Sequence, residues 1–570
     1  MNFPAVHFPV NSLHRVLACA SVIAIGACAS AGLRSPGAAI TRLDGTTIDT
    51  TALTTQIEAL TRAANVQGLT VTIFNDAGKV YSRGFGAANL PAGRPLRTAT
   101  ELYGASLSKA VFPVLVMKLV EQGLLNLDKP LQDYVSEPLC QNRGTAWHED
   151  LSDLCSDPRY RRITARMSLS HTTGLPNWRW FEPDRKLRIH FEPGARYSYS
   201  GEGMTFLQAV IQRITGKPLE ELMQTHVFAP YGMTMSSYTW QPRFEADYAV
   251  GHTPEGKTYP KDKDNAARAP STLETTTDDY ARFMAAVLRR DGLSEASWNE
   301  IFRPQVRIRT KTQFGPGASE TTTAYDPIEL SYGLGWGLQR TPYGWGAFKE
   351  GHGDGFQHYS IVYPAKKLGV LLMSNSDNAE GIFGHLLTLT IGDTFTPLEW
   401  EGYPPYDRAP QITATPGATT VVVVRHAEKS SDDPRDPTLN AAGQERARLL
   451  TSVLKDAGVT SIYTTQYKRT RQTAEPLAQQ LGIAIVERPA SAANAATYAR
   501  DLAQEILAKG AGKGVLVVGH SNTVPDIVKA LSGTTVPAIT DPEYDHIFVV
   551  VIPASGSPRL MPLRFGRASP

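Results

Sequence analysis

Five prolines, Pro397, Pro404, Pro405, Pro410 and Pro416, cut this chain into two unequal blocks. Proline locks its own φ and has no N–H to give, so such a stretch is stiff, joins no core, and reads as an inter-domain linker over 396–418. Directly after it comes Thr419-Thr420-Val421-Val422-Val423-Val424, an unbroken β-branched run of the kind that forms a strand buried on both faces. The first block needs a core of its own. It opens with Leu69-Thr70-Val71-Thr72-Ile73-Phe74, which alternates like a strand, then the turn Asn75-Asp76-Ala77-Gly78 and a return strand from Lys79 to Gly84. Two cores are also what 570 residues ask for.

The one strongly apolar run lies at the N-terminus, where Arg15 precedes Val16 to Ala27 and then Cys28. A basic flank, a short apolar stretch and small residues before a cut site describe a secretory signal, too short to span a bilayer. Ile25-Gly26-Ala27-Cys28 resembles a bacterial lipobox, which implies that residues 1–28 are a lipoprotein signal and that Cys28 carries the lipid. An ordinary signal peptide cut near Ala27 is the alternative. Residues 29–51, rich in Ala, Gly, Ser and Thr, read as a tether. An exported chain meets an oxidising compartment, so Cys140 and Cys155 are expected to pair, and two cysteines are too few for a metal site. The 57 basic and 55 acidic residues carry no long run of either sign, which argues against a nucleic-acid partner.

Gly104-Ala105-Ser106-Leu107-Ser108-Lys109 opens an apolar helical pattern that Gly123 ends. Ser106 and Lys109 are three apart and share one face. A serine hydroxyl is a poor nucleophile until a base takes its proton, and a desolvated lysine can be that base. At a helix start, free N–H groups also favour an oxyanion. Downstream, in order, come Ser168-Leu169-Ser170-His171-Thr172-Thr173-Gly174, Tyr197-Ser198-Tyr199-Ser200-Gly201, Tyr332-Gly333-Leu334-Gly335-Trp336-Gly337 and Gly351-His352-Gly353-Asp354-Gly355.

This set resembles the class C β-lactamase-like serine hydrolases, a family that also holds D,D-carboxypeptidases, D-aminopeptidases and esterases, over residues 52–395. The resemblance implies an α/β sandwich with an antiparallel sheet. It makes Ser106 the acylated nucleophile, Lys109 its proton partner and Tyr199 the group that passes a proton to the leaving group. It places His352 where members carry Lys-Thr-Gly or His-x-Gly, and it forms the oxyanion hole from the N–H groups of Ser106 and Gly355. Two departures stand out. The family's Tyr-x-Asn is Tyr199-Ser200-Gly201 here, so an amide that would bind a substrate's acylamido group is absent. Histidine in place of lysine also removes a permanent cation. Both tilt the reading from a β-lactamase towards an esterase or peptidase. His171 is expected to order its loop, and Ser108 to face away from the site. Trp178, Trp180 and Phe181 either line a cleft or pack.

In the second block, Arg425-His426-Ala427-Glu428 follows the valine strand. Arg469-Thr470-Arg471-Gln472-Thr473-Ala474 follows Ile462-Tyr463-Thr464-Thr465, and Gly519-His520 follows Val515-Leu516-Val517-Val518. Each lies where a strand ends and a helix begins, the place where open α/β sheets bind ligands. Phosphoryl transfer to an imidazole needs a neutral histidine and cations around the oxygens, and arginine suits the second part. This resembles the histidine phosphatase superfamily, which includes phosphoglycerate mutases and phosphohistidine phosphatases, over residues 419–566. The resemblance implies a phosphoglycerate mutase-like α/β/α domain in which His426 is phosphorylated within a cradle of Arg425, Arg469 and His520. A general acid is missing from the expected stretch Pro489 to Asn494, and Glu487, Glu543 and Asp545 have no motif to place them.

The chain is thus expected to be an exported two-domain α/β hydrolase, lipid-anchored at the periplasmic face of a bacterial envelope. Its partners would be a small-molecule or peptide acyl substrate, a phosphorylated substrate and the membrane surface, with no cofactor and no metal. A binding or sensing lipoprotein whose phosphatase domain has lost turnover is the alternative.

Overall fold

The computed structural model describes residues 39–144, 146–263, 265–407, 417–554 and 556–566. Cys28, the signal segment and the start of the tether lie outside them.

The first domain is built on a nine-stranded antiparallel sheet. It starts from β1 (Gly68–Asn75), the third strand from one edge, paired with β2 (Gly78–Asn89) through the expected turn. Asp76 and Ala77 both take positive φ there, as a tight hairpin requires. Four later strands extend the sheet, β3 (Gly337–Thr341), β4 (Gly344–Gly353), β5 (Phe356–Tyr363) and β6 (Leu368–Ser374), and β6 returns to lie beside β1. Short strands at Arg94–Pro95, Ser331–Tyr332 and Val306–Arg307 complete the edges.

Both faces of this sheet are covered. Leu371 and Met373 face one layer with α1 (Ser108–Glu121) and α2 (Gly201–Thr215), whereas Leu69, Val71, Ile73, Val370 and Leu372 face the other, with α3 (Glu380–Ile391). Alternation along each strand produces the two layers, since successive side chains point to opposite faces.

The tether and linker are shorter than the composition suggests. Ala39–Thr41 and Thr47–Asp49 form a small hairpin whose Ile40, Leu43 and Ile48 are buried in the second layer. Leu398–Glu401 is a helical turn, and Trp400 and Tyr403 are buried in the same layer. Few apolar residues are needed to join a core when one of them is tryptophan.

The second domain carries a six-stranded sheet in the order Ile485–Glu487, β8 (Val459–Thr464), β9 (Gly514–Gly519), β7 (Thr419–Arg425), β10 (His546–Ile552), Arg559–Arg564. The first four are parallel and the last two antiparallel. Val421 and Val423 bury into one layer and Val422 and Val424 into the other, which is why the run is continuous. Helices α4 (Ala441–Leu454) and α5 (Lys468–Leu481) cover one face, and Tyr498–Lys509 and α6 (Val524–Ser532) the other. Asn440 caps α4 by accepting from the Gly443 N–H at 2.9 Å. Among the described residues no helix is long and apolar enough to cross a membrane.

Cys140 and Cys155 are joined in a disulfide across a separation of 15 residues. The segment it closes holds only short helical turns, so the covalent link substitutes for regular structure. Closing such a loop restricts the unfolded chain, and its loss should lower stability by about 3 kcal/mol. Denaturant unfolding of the full chain with Cys140→Ser and Cys155→Ser together should show that loss in the hydrolase transition. An unchanged midpoint would mean the loop holds itself.

Candidate active sites

Ser106 sits in a short helical turn (Ala105–Leu107) that leads into α1. Ala105 takes φ +47, a strained value for a residue with a Cβ, and the Ser108 hydroxyl steadies the turn by donating to the Ala105 carbonyl at 2.5 Å. Ser108 thereby faces away from the nucleophile, as its position implies. Ser106 is half-buried, and one helical turn on, Lys109 Nζ lies 2.9 Å from Ser106 Oγ. The same nitrogen donates to the Pro270 carbonyl at 2.9 Å. Burial, together with the Lys349 ammonium nearby, pushes the Lys109 amine well below its usual range. A neutral amine beside a serine hydroxyl is what proton abstraction needs.

Tyr199 arrives from the residues just before α2, whose N-cap Ser200 accepts from the Gly203 N–H at 2.9 Å. Lys109 Nζ lies 4.8 Å from the centre of the Tyr199 ring. The imidazole of His171 packs on the same ring at 4.4 Å, accepts the Ser200 N–H at 3.1 Å, and pairs with Tyr332 at 3.1 Å. His171 is fully buried and touches no reacting atom, so it orders the loop that carries Tyr199. Ser106, Lys109 and Tyr199 therefore meet.

His352 does not join them. Its ring is exposed at the end of β4 and its Nδ1 pairs with Glu380 at 2.6 Å, a bond that raises the imidazole's pKa. The cation that meets Tyr199 is instead Lys349, three residues earlier and opposite in strand parity. Lys349 is fully buried and donates to the Tyr199 hydroxyl at 2.9 Å. Its Nζ also pairs with the buried Glu350 carboxylate at 2.6 Å, and Gln313 donates to that carboxylate at 3.1 Å. Lys349-Glu350-Gly351 was the missed signal: a Lys-x-Gly on the same strand, hidden by the more conspicuous His352-Gly353.

The expected role of Gly355 in an oxyanion hole also fails. Asp354-Gly355 is the two-residue turn between β4 and β5, and the Gly355 N–H is committed to Asp377 at 2.6 Å. The backbone beside the nucleophile is Gly351, where an added Cβ would meet the Gly104 carbonyl at 2.9 Å and Leu107 at 3.3 Å. The error is one of register, since two Gly-x-Gly steps follow each other here.

The phosphate site forms where β7 and β9 end side by side. Arg425 is opposite Gly519 in that parallel pair, and the His426 N–H donates to the Gly519 carbonyl at 2.9 Å. His426 and His520 come within 5.3 Å, ring centre to ring centre. His426 Nδ1 donates to the Ala427 carbonyl at 2.8 Å, which leaves the lone pair on Nε2. Burial pushes the His426 imidazole down to about 3 and that of His520 to about 4. A cavity of about 810 Å³ opens over both rings, lined also by Arg425, Arg469, Lys429 and Asn522.

The arginines differ in freedom. Arg425 Nη1 donates to the carbonyls of Thr540, Asp541 and Glu543 at 2.7–2.9 Å, tying that loop down. Yet Arg425 Nε and Arg469 Nη1 are buried without a hydrogen-bond acceptor, although Asp436 lies 3.9 Å from the latter. Buried N–H groups left unpaired are rare and costly, and both belong to arginines that line the cavity. The acids without a motif are engaged elsewhere: Glu487 with Arg471, Glu543 with Thr540 and His546, and Asp545 with Arg564. Three acids line the cavity among the described residues: Asp541 is held ionised by Arg425, Asp433 by backbone N–H groups, and Asp526 lies in the first turn of α6.

Comparison with known proteins agrees with both halves. A sequence model of the beta-lactamase family matches residues 53–389, and one of the histidine phosphatase superfamily (branch 1) matches residues 421–492. The first covers more than half of the chain, and the chain belongs to the beta-lactamase family, with a histidine phosphatase domain joined to it. Among curated proteins it is similar to a lovastatin esterase of Penicillium rubens, 29% identical over 32% of this chain and 52% of the relative. It is likewise similar to penicillin-binding protein 4* of Bacillus subtilis, 26% identical over 46% and 58%. Esterase EstB of Burkholderia gladioli is 29% identical over 27% and 42%. The matches thus span about half the length of these relatives.

With burial holding both imidazoles neutral, neither should titrate in the ordinary histidine range. An NMR pH titration should show His426 and His520 unprotonated from pH 8 to 5, while exposed histidines change near 6.5. A His426 midpoint near 6.5 would contradict this environment. Bound inorganic phosphate should raise both midpoints, because an anion favours the imidazolium.

Proposed function

We propose that the first domain hydrolyses esters through an acyl-Ser106 intermediate. Ser106 Oγ attacks the ester carbonyl as Lys109 takes its proton, and Tyr199, held by Lys349, passes a proton to the departing alkoxide. Water then attacks the acyl-enzyme by the same route in reverse. A backbone N–H of the Gly351–Gly353 segment joins that of Ser106 in holding the oxyanion. One observation carries the choice of an ester over a carboxylate-bearing peptide or β-lactam: Lys349 is fully buried and spent on Tyr199 and Glu350. It has no face left for a substrate carboxylate. The esterases among the relatives support this reading, although a penicillin-binding protein is among them too.

Intact-mass analysis after a small fluorophosphonate should find one adduct on the full chain, lost in Ser106→Ala and unaffected by prior penicillin. Lys109→Ala should lower ester kcat by about 10²–10⁴-fold. Protection by penicillin, or rapid cephalosporin turnover, would instead mark the site as β-lactam-directed.

For the second domain we propose phosphoryl transfer to His426 Nε2 and on to water, within a cradle of Arg469, His520 and Arg425. Because Asp433 and Asp541 are held ionised and Asp526 is the one other acid among the described lining residues, substrates whose leaving group needs little protonation, phosphoramidates and acyl phosphates, should turn over faster than alkyl phosphates. The engaged fork of Arg425 favours one rival, a domain that binds phosphate without turnover. Acetyl phosphate hydrolysis lost in His426→Ala would support the enzyme, whereas saturable phosphate binding with no hydrolysis would support the rival.

We further propose export and lipid anchoring through Cys28 at the periplasmic face. The disulfide is in keeping with an oxidising compartment. Palmitate labelling of the full chain that persists in Cys28→Ala would refute the anchor.

A further inference from the structure

We propose that a run of three indoles, Trp178, Trp180 and Trp147, is the acyl-binding wall of the Ser106 site and selects esters with a flat, apolar acyl group. This deepens, and rests on, the acyl-serine reading above. The starting point is Gly201, the third residue of Tyr199-Ser200-Gly201, where the family's pattern carries an asparagine that faces the substrate's acyl side. No side chain fits there. An added Cβ would lie 2.8 Å from Trp178 Cη2, 2.9 Å from Cζ3 and 2.8 Å from the Asn177 carbonyl. The indole of Trp178 occupies the place of the amide, so a polar contact has been exchanged for an aromatic edge.

That edge belongs to the reacting centre, because Lys109 Nζ lies 5.8 Å from the centre of the Trp178 ring. The aromatic surface then continues outward. Trp180 stacks on Trp178 at 4.8 Å with 12° between planes, and Trp147 meets Trp180 edge-on at 4.7 Å. Trp178 is half-buried and also meets Trp147 edge-on at 6.0 Å, while Trp180 is 43% and Trp147 38% exposed, so the cluster reaches from the site to solvent. Indoles stacked on one another and open to water at one end would cover their remaining faces with a planar apolar group.

The wall is held in place before anything binds. Arg179 lies between Trp178 and Trp180 in the chain and grips the fully buried Glu202 carboxylate, with Nε on Oε1 and Nη2 on Oε2, both at 2.9 Å. Its Nη1 donates to the Asp150 carbonyl at 2.7 Å, and its guanidinium lies 5.4 Å from the Trp147 ring centre. Arg179 therefore ties the segment that carries Trp178 and Trp180 to α2, which carries Glu202, and packs against Trp147. Such preorganisation suits recognition better than incidental packing does.

The test uses two esters with the same leaving group, 4-nitrophenyl phenylacetate and 4-nitrophenyl acetate, so that only the acyl side differs. Native full-length protein should favour the phenylacetate at least tenfold in kcat/KM, in the range expected for filling an apolar pocket. That ratio should fall at least fivefold in Trp180→Ala, chosen for its exposure, and further in Trp178→Ala. A native ratio near one, or a ratio unmoved in both variants, would overturn the proposal. Tryptophan fluorescence of Ser106→Ala titrated with phenylacetate supplies a readout free of turnover. Saturable quenching, absent with acetate and weakened in the Trp178→Ala background, supports the wall even if the serine proves unreactive. No saturable quenching overturns it even if esters are hydrolysed.

Discussion

One buried carboxylate organises the hydrolase site. Lys109 and Lys349 are both fully buried and both lie 4.8 Å from the same Tyr199 ring, an arrangement that two full positive charges would make very costly. Glu350 resolves the conflict unequally. Burial lowers both amines, but Glu350 touches Lys349 directly and offsets this there, while Lys109 feels it only at a distance and falls further. A single glutamate thereby sets two chemically identical side chains apart, favouring the ammonium beside Tyr199 over the one beside Ser106. Environments that push like groups apart in this way are how acid and base roles are assigned within one site.

The phosphate site reaches a comparable end by other means. Among the described residues no carboxylate is bonded to His426 or His520, and burial, helped by the charges of Arg425 and Arg469, keeps both neutral. Arg425 and Arg469 line the cavity and supply its positive charge. The proposed phosphate chemistry would draw on that charge, whereas the hydrolase site balances its two lysines with a carboxylate of its own.

Much of this could be read directly from the chain. The valine strand, its Arg425-His426 ending, the Ser106/Lys109 helical face and the capping role of Asn440 follow from local chemistry and periodicity, which act over a few residues. Trp400 and Ile40 could not be assigned to the first core, because both sit in segments whose composition reads as linker or tether. A lone buried residue in a polar stretch has no periodicity to announce it. The place of Lys349 was obscured for a different reason. In β4 each step of one residue exchanges the two faces of the sheet, so a motif read from His352 rather than from Lys349 assigns the wrong side chains to the site.

By itself the sequence determined two domains, their families and most of the residues that meet at the two candidate sites, because those depend on residue type and short spacing. Tertiary structure alone decided which lysine supports Tyr199, that the Gly355 N–H is already taken, and that Trp178 fills the space beside Gly201. Each is a matter of distance between segments far apart in the chain, from Lys349 to Tyr199, from Gly355 to Asp377, and from Trp178 to Gly201. Hydrogen bonds and packing act over a few ångströms, and local sequence carries no measure of which distant segments will come that close.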